Sequence, residues 1–368
     1  MRTPFLIAVV AIALASPAQG ADEPAKYAEP QDDSSRYAVE TIVGELNSPT
    51  SVAVRNGTGA TAPIQLYIAE AGAGRVVRVI VGAEGEAKPT PVVTGFALAD
   101  RGPLHGGRVG PLSVAFLTAN RLLVGTGGLG DGADLVSVYS LSDNDAELSY
   151  DQADHSAGPV ASSNRSTSGE GAFADIAGTD DACFVAARSG DARGWVLKAT
   201  VDANRIAGLE PFVAMQKAAG NERPTAVVVD PRPKHHYLLV ATCGELDGEA
   251  DSRVTMVSPT SGDVALNLAT GLRDIVALAY SPSGDLYAAD LAVDDPAAGG
   301  VFRLEAAQVD GRESCRAVKI AAATRPTALA FTPDGALYVT ALGDAGEDNG
   351  TLTGALLKIT PQGDTPKL

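Results

Sequence analysis

Histidine is scarce in this chain, with four in all, and His105 is the one placed for chemistry. It lies in DRGPLHGGRVG, a glycine-rich connector in which Arg101 and Arg108 flank the imidazole. Glycines there permit backbone angles closed to other residues. Arg223 and Arg325 each stand directly before a proline, Pro224 and Pro326, that opens a hydrophobic run. Brought together, His105, Arg108, Arg223 and Arg325 would form an anion-binding patch; kept apart, they are solvated loop charges. Of the other histidines, His235 and His236 fall at a turn in PRPKHHYLLV. His155 falls in DQADHSAGPVASSNRSTSGEG, which reads as a mobile loop.

Carboxylates are the second group. Glu70, Asp131, Asp191 and Asp290 follow short hydrophobic runs, and further acids fill CGELDGEADSR, DLAVDDP and LGDAGEDNG. In the first of these, Glu245, Asp247, Glu249 and Asp251 alternate along the chain. Glu245, Asp247 and Asp251 are the candidate ligands for a calcium ion, which prefers several oxygens with negative charge. Their spacing is not that of an EF-hand loop, and solubilising surface acids are the competing reading.

Other chemistry lacks its pattern. The chain has no Gly-x-Ser-x-Gly elbow, HExxH pair, P-loop or dinucleotide fingerprint in a suitable context. GTGGLGDG (125–132) has no lysine and reads as a turn between strands. Cys183, Cys243 and Cys315 form no CxxC or Cys/His cluster, which leaves one bridge with a spare thiol, or three buried thiols. Trp195 opens a third strand and reads as packing between repeat units.

The elements that must position these residues come from an internal repeat. Six short alternating runs begin its units: SVAV (51–54), SVAF (113–116), ADIA (174–177), AVVV (226–229), ALAY (277–280) and ALAF (328–331). Four have a proline two residues earlier, and the starts lie 62, 61, 52, 51 and 51 residues apart. A second run follows in each unit, with Tyr67, Leu123, Phe184, Leu239, Tyr287 and Tyr338 at matching places, and then a third. SPSGD and TPDGA supply turn chemistry between the first two runs of the last two units. Short strands with period-two alternation, repeated at this interval, predict an all-β six-bladed propeller over 36–362. The final unit shows three strands, so YAVETIV (37–43) is expected to supply its outer one and close the ring.

The repeat, clearest in RPTALAFTPDGALYVTALG and SPSGDLYAADL, resembles NHL repeats and the wider SMP-30-like group of six-bladed propellers. That group includes gluconolactonase-like proteins and soluble quinoprotein sugar dehydrogenases. GPLSVAFLTANRLLVGTGGLGDGADLVSVYSL is also similar to secreted propellers of the ScyD/ScyE type. The gluconolactonase resemblance implies a Glu, an Asn and an Asp around a divalent cation at the channel mouth. The matched positions here are Thr50, Leu112, Phe173, Thr225, Val276 and Thr327, with Asp175 and Asp274 one or two places away. The dehydrogenase resemblance implies a quinone cofactor with calcium, His105 as base and nearby arginines on the cofactor.

Composition bounds the rest. The chain has 368 residues, 45% hydrophobic and 20% charged, a globular balance. Its net charge of −17 argues against a nucleic-acid partner. Residues 1–20 read as a signal peptide: Arg2, an apolar run over 5–15, and Ala18-Gln19-Gly20 for cleavage near Gly20. Loss of the leader takes the charge to −18. Residues 21–35 are expected to be a flexible acidic lead-in and 363–368 a C-terminal tail. No later stretch is apolar enough for a transmembrane anchor. The expectation is a secreted or periplasmic module that binds a protein or small-molecule ligand through its loop-rich face. The alternatives are a quinoprotein-type oxidoreductase and, behind it, a metal-dependent hydrolase.

Overall fold

The computed structural model describes residues 26–55, 63–82, 87–100, 107–142, 146–188, 192–202, 204–221, 223–232, 236–343 and 353–368. Six antiparallel blades surround a central channel. The inner strands are Pro49–Arg55, Pro111–Thr118, Asp175–Gly178, Pro224–Val229, Ile275–Tyr280 and Pro326–Phe331. Each pairs with a second strand: Ile64–Glu70, Arg121–Thr126, Ala182–Ala187, Leu238–Thr242, Leu286–Asp290 and Leu337–Ala341. Four prolines at inner-strand starts are opposite the last residue of the second strand, a place that needs no proline N–H.

Alternation places large side chains between blades, because successive residues of a strand face opposite sides of its sheet. Tyr67, Leu123, Phe184, Leu239, Tyr287 and Tyr338, the repeated second-strand position, are all buried. One such contact joins Val52, Leu66 and Ile68 of the first blade to Ala328, Ala330 and Tyr338 of the last. Burying each large apolar side chain contributes roughly 1.5–3 kcal/mol. The SPSGD and TPDGA turns form as expected. Gly284 and Gly335 take φ of +87° and +89°, and each donates its N–H across the turn, to Ser281 and Thr332.

Ring closure also follows the sequence. Tyr37–Asn47 lies antiparallel to Thr353–Pro361, with Tyr37 opposite Pro361 and Asn47 opposite Thr353. It is the outer strand of the sixth blade, whose other three strands come from the far end of the chain.

Four features differ from the sequence reading. Ala28–Asp32, inside the expected lead-in, is a strand parallel to Arg312–Ala321 on the fifth blade's outer edge. The polar AEPQD carries no alternation to betray it. His155 opens the outer strand of the second blade, His155–Ala157, and its Nε2 accepts the Ile206 N–H at 3.1 Å. Leu368, in the expected tail, is buried against the last two blades. Finally, the third unit's match shifts by one residue. Asp175, not Ala174, shares its pairing level with Ser51, so Ala174 replaces Phe173 at the mouth position. The three cysteines are buried and unbridged. Among the described residues no helix is long and apolar enough to cross a membrane.

Candidate functional site

One hydrogen bond recurs in every blade and defines the loop-rich rim. The residue after the second strand donates its N–H to a carbonyl just before the inner strand. The six pairs are Ala71 to Ser48, Gly127 to Gly110, Arg188 to Gly171, Cys243 to Arg223, Leu291 to Asp274 and Leu342 to Arg325. Arg223 and Arg325 therefore hold equivalent places in the fourth and sixth blades. Arg325 has a φ of +52° there and is half-buried. Arg108 is exposed on a small ribbon in which Asp100 stands opposite it. His105 and Arg101 lie outside the described residues, as do Asp191, Asp344 and the other acids of LGDAGEDNG.

Glu70 and Asp290 are buried side chains with a shared structural job. Both end a second strand, and both hold the backbone leading into their own blade's inner strand. Glu70 Oε1 accepts the Asn47 N–H at 2.8 Å, while Oε2 pairs with Arg75 Nε at 2.5 Å. Asp290 accepts the N–H groups of Asp274 (2.7 Å), Arg273 (3.1 Å) and Ala292 (3.3 Å). Burial pushes the Asp290 carboxyl up, and these three donors pull it back. Asp274 behaves alike: it accepts the Val293 N–H at 2.8 Å and is raised by burial and by Asp290 beside it.

Arg223, Glu245 and Asp251 do come together. With Gln216, Asn221 and Arg253 they line a rim cavity of about 440 Å³ between the third and fourth blades. Asn221 Nδ2 donates to the Cys243 carbonyl at 2.6 Å, and its Oδ1 accepts the Arg223 N–H at 3.0 Å. Arg223 Nη1 is then fixed on the Gly244 carbonyl at 3.0 Å. Asp251 folds back to accept the Glu245 N–H at 3.2 Å, and its other oxygen lies where a Cβ on residue 244 would stand. Gly244 is thus required by close approach rather than by dihedral angle. Burial raises the Asp251 carboxyl, and Asp247 and Glu245 add to that. Among the described residues no three His, Cys, Asp or Glu side chains converge to hold a cation. Glu245 and Asp251 share the cavity wall, whereas Asp247 lies off it and accepts the Glu249 N–H.

Gln216, Asn221 and Arg253 are absent from the sequence-level candidates. Gln216 lies on a short helix, Met215–Ala219, and Arg253 opens a third strand; they converge only through the ring. The proline-flanked Arg223 was the available signal, and it marks one wall only.

Inside the ring lies a channel of about 480 Å³. At its mouth, Thr50, Thr225 and Thr327 donate their hydroxyls to carbonyls of the next blade: Leu112 (2.8 Å), Ile275 (2.6 Å) and Pro49 (2.7 Å). Leu112 is buried against Ala71, Val109 and Ala172. One layer deeper, Ser51 Oγ accepts the Val114 N–H, and Asp175 Oδ2 accepts the Val227 N–H in the same manner (3.1 and 2.9 Å). Burial pushes the Asp175 carboxyl up to about 7 despite the Val227 and Ile176 donors.

No protein-family model matches the chain, and a search of curated proteins finds no match. Solved structures do match. A gluconolactonase from Xanthomonas campestris superposes with a TM-score of 0.54 at 13% identity, over 92% of this chain and 99% of that one. The chain has a β-propeller fold. PhoX from Pseudomonas fluorescens, in complex with vanadate, superposes with a TM-score of 0.52 at 10% identity, over 92% and 97%. At these identities the likeness speaks for the propeller alone, since one fold hosts many sites.

Proposed function

We propose that this propeller is a secreted or periplasmic binding module that takes a small polar ligand at its loop-rich rim, within the NHL/SMP-30-like group. The observation that carries this reading is the cavity of about 440 Å³ between the third and fourth blades. Two guanidinium groups, two carboxylates and two amides border it, so a ligand bearing both an acid and a base finds a partner for each. Arg223 is pre-oriented by its bond to Gly244, which lowers the ordering cost of binding. Calcium enters this reading only as a counter-ion drawn to the acidic loop 245–251, since among the described residues no three of its carboxylates converge. The hydrolase reading has the fold likeness to a gluconolactonase in its favour, the oxidoreductase reading has the sequence resemblance alone, and neither has a convergent metal-binding set among the described residues.

The mature protein should be titrated calorimetrically with free amino acids, sugars and calcium. Binding of a zwitterion that weakens at least tenfold in both Arg253→Ala and Asp251→Asn is the expected result. Turnover of a lactone by the pure protein, or dye reduction by a sugar after loading with quinone and calcium, would overturn it.

A further inference from the structure

The channel has a composition of its own. Among the described residues, Asp175 is the one ionisable side chain on its wall. At the same pairing level the other blades carry Ser51, Ser113, Ala226, Ala277 and Ala328, so the third blade alone places a carboxyl there. The carboxyl accepts two backbone N–H groups, from Val227 and Ile176, each at 2.9 Å. Burial and those two donors are the influences on its ionisation, and among the described residues no Lys, Arg or His bears on it. The two inner strands beside it, Pro111–Thr118 and Pro224–Val229, bring no charged side chain to the channel. A carboxylate half-buried on the channel wall with no counter-charge beside it is costly, so the site favours a cation that enters the channel.

The rest of the wall says which cation. A metal ion favours several oxygens with negative charge, and beside the one carboxyl this wall offers the neutral hydroxyls of Thr50, Ser51 and Thr327 and aliphatic side chains such as Val54, Val228 and Leu329. Three residues further along the strands, roughly 10 Å from Asp175 at the usual strand rise, the channel is bordered by Phe116 and Phe331. Both rings are half-buried, braced by Tyr67 and Tyr287 at centroid distances of 5.1 and 5.0 Å. Gly178 is exposed at this end, where the third inner strand leaves the channel. An ammonium on Asp175 therefore leaves its tail beside the aliphatic side chains of Val54, Val228 and Leu329 and the rings of Phe116 and Phe331. We propose that the central channel binds a primary amine with an apolar tail, its ammonium on Asp175 and its tail running toward Phe116 and Phe331. This site is separate from the rim cavity and does not rest on it.

The test titrates the full-length mature protein with hexylammonium, and with hexanol as the uncharged probe of the same length. Hexylammonium should bind at least tenfold more tightly than hexanol at pH 8. Asp175→Asn should bring the two to parity, with calorimetric unfolding confirming a folded variant. Should that variant not fold, the wild-type pH profile decides. Hexylammonium affinity should fall as pH drops from 8 to 5 while hexanol affinity stays level, because protonation removes the counter-charge. Phe331→Ala should weaken both probes and leave that profile unchanged. Equal binding of the two probes by the wild type, or a flat profile for hexylammonium, overturns the assignment. Either result leaves the rim reading intact, since Arg253→Ala is silent here.

Discussion

Glu70 shows how a carboxylate can look like a ligand group in sequence and act as a clamp in the fold. Its two oxygens take the Asn47 N–H and Arg75 Nε, and the side chain is fully buried. Removing it leaves a backbone donor without its acceptor, which costs about 1–3 kcal/mol. Glu70→Ala should lower the stability by about that much in urea denaturation. Glu70→Gln should cost less, because an amide oxygen can still accept from Asn47 and the half-exposed Arg75 can turn to water once its carboxylate partner is gone. Asp175 makes a different prediction, in pH. Its folded pKa of about 7 lies above the ordinary value of 3.8, so the folded state holds the proton more tightly than the unfolded chain. Stability must then decline as pH rises from about 4 to about 7 and level off above, by up to about 4 kcal/mol. Asp175→Asn cannot titrate. The stability of wild type minus variant, measured by urea melts across that window, should fall with pH; a constant difference would show that the carboxyl is not raised. Sequence spacing marked Glu70 and Asp290 as rim acids, yet their burial was not legible, because the backbone N–H groups they accept belong to segments 16 to 23 residues away.

At the scale of elements, the strand Tyr37–Asn47 carries the greatest leverage. It joins the two ends of the chain in one sheet, and its inward side chains differ sharply from its outward ones. Leu46 is 1% exposed and packs with Val52, Ile68 and Leu356, whereas Val39 is 43% exposed. Leu46→Ala should therefore cost about 2–5 kcal/mol as a core truncation. Val39→Ala, eight positions from the strand's end, should stay within about 0.5 kcal/mol. Thermal melts of both variants check this; equal effects would mean that the strand is not packed as described. This strand was legible because YAVETIV is β-prone and the last unit lacked an outer partner. Inner and second strands were legible through alternation and their prolines. The third inner strand was misread by one residue because ADIA lacks the flanking proline and begins with an alanine that suits either face. Outer strands such as Ala28–Asp32 and His155–Ala157 face solvent on one edge, so nothing in their polarity separates them from loops.

For the whole molecule, the question is whether six blades unfold as one. Each interblade core draws side chains from two sheets, and the closing strand ties the first and last units, so no blade has an apolar face of its own to retain. The three cysteines report on this without any added probe. Cys183 lies in the third blade's second strand, Cys243 on the fourth blade's rim and Cys315 in the fifth blade's outer strand. They belong to three different clusters, and burial pushes each thiol up to about 12, which leaves almost no thiolate near neutral pH. A thiol reagent should leave the native protein unlabelled. With increasing urea, all three sites should become labelled at one midpoint, the same as that of the loss of β-structure seen by circular dichroism. Labelling of Cys315 ahead of Cys183, resolved by mass spectrometry of the peptides, would instead mean that the fifth blade opens alone. In that case the closing strand would couple only its immediate neighbours, and the effect of Leu46→Ala would spare labelling at Cys183.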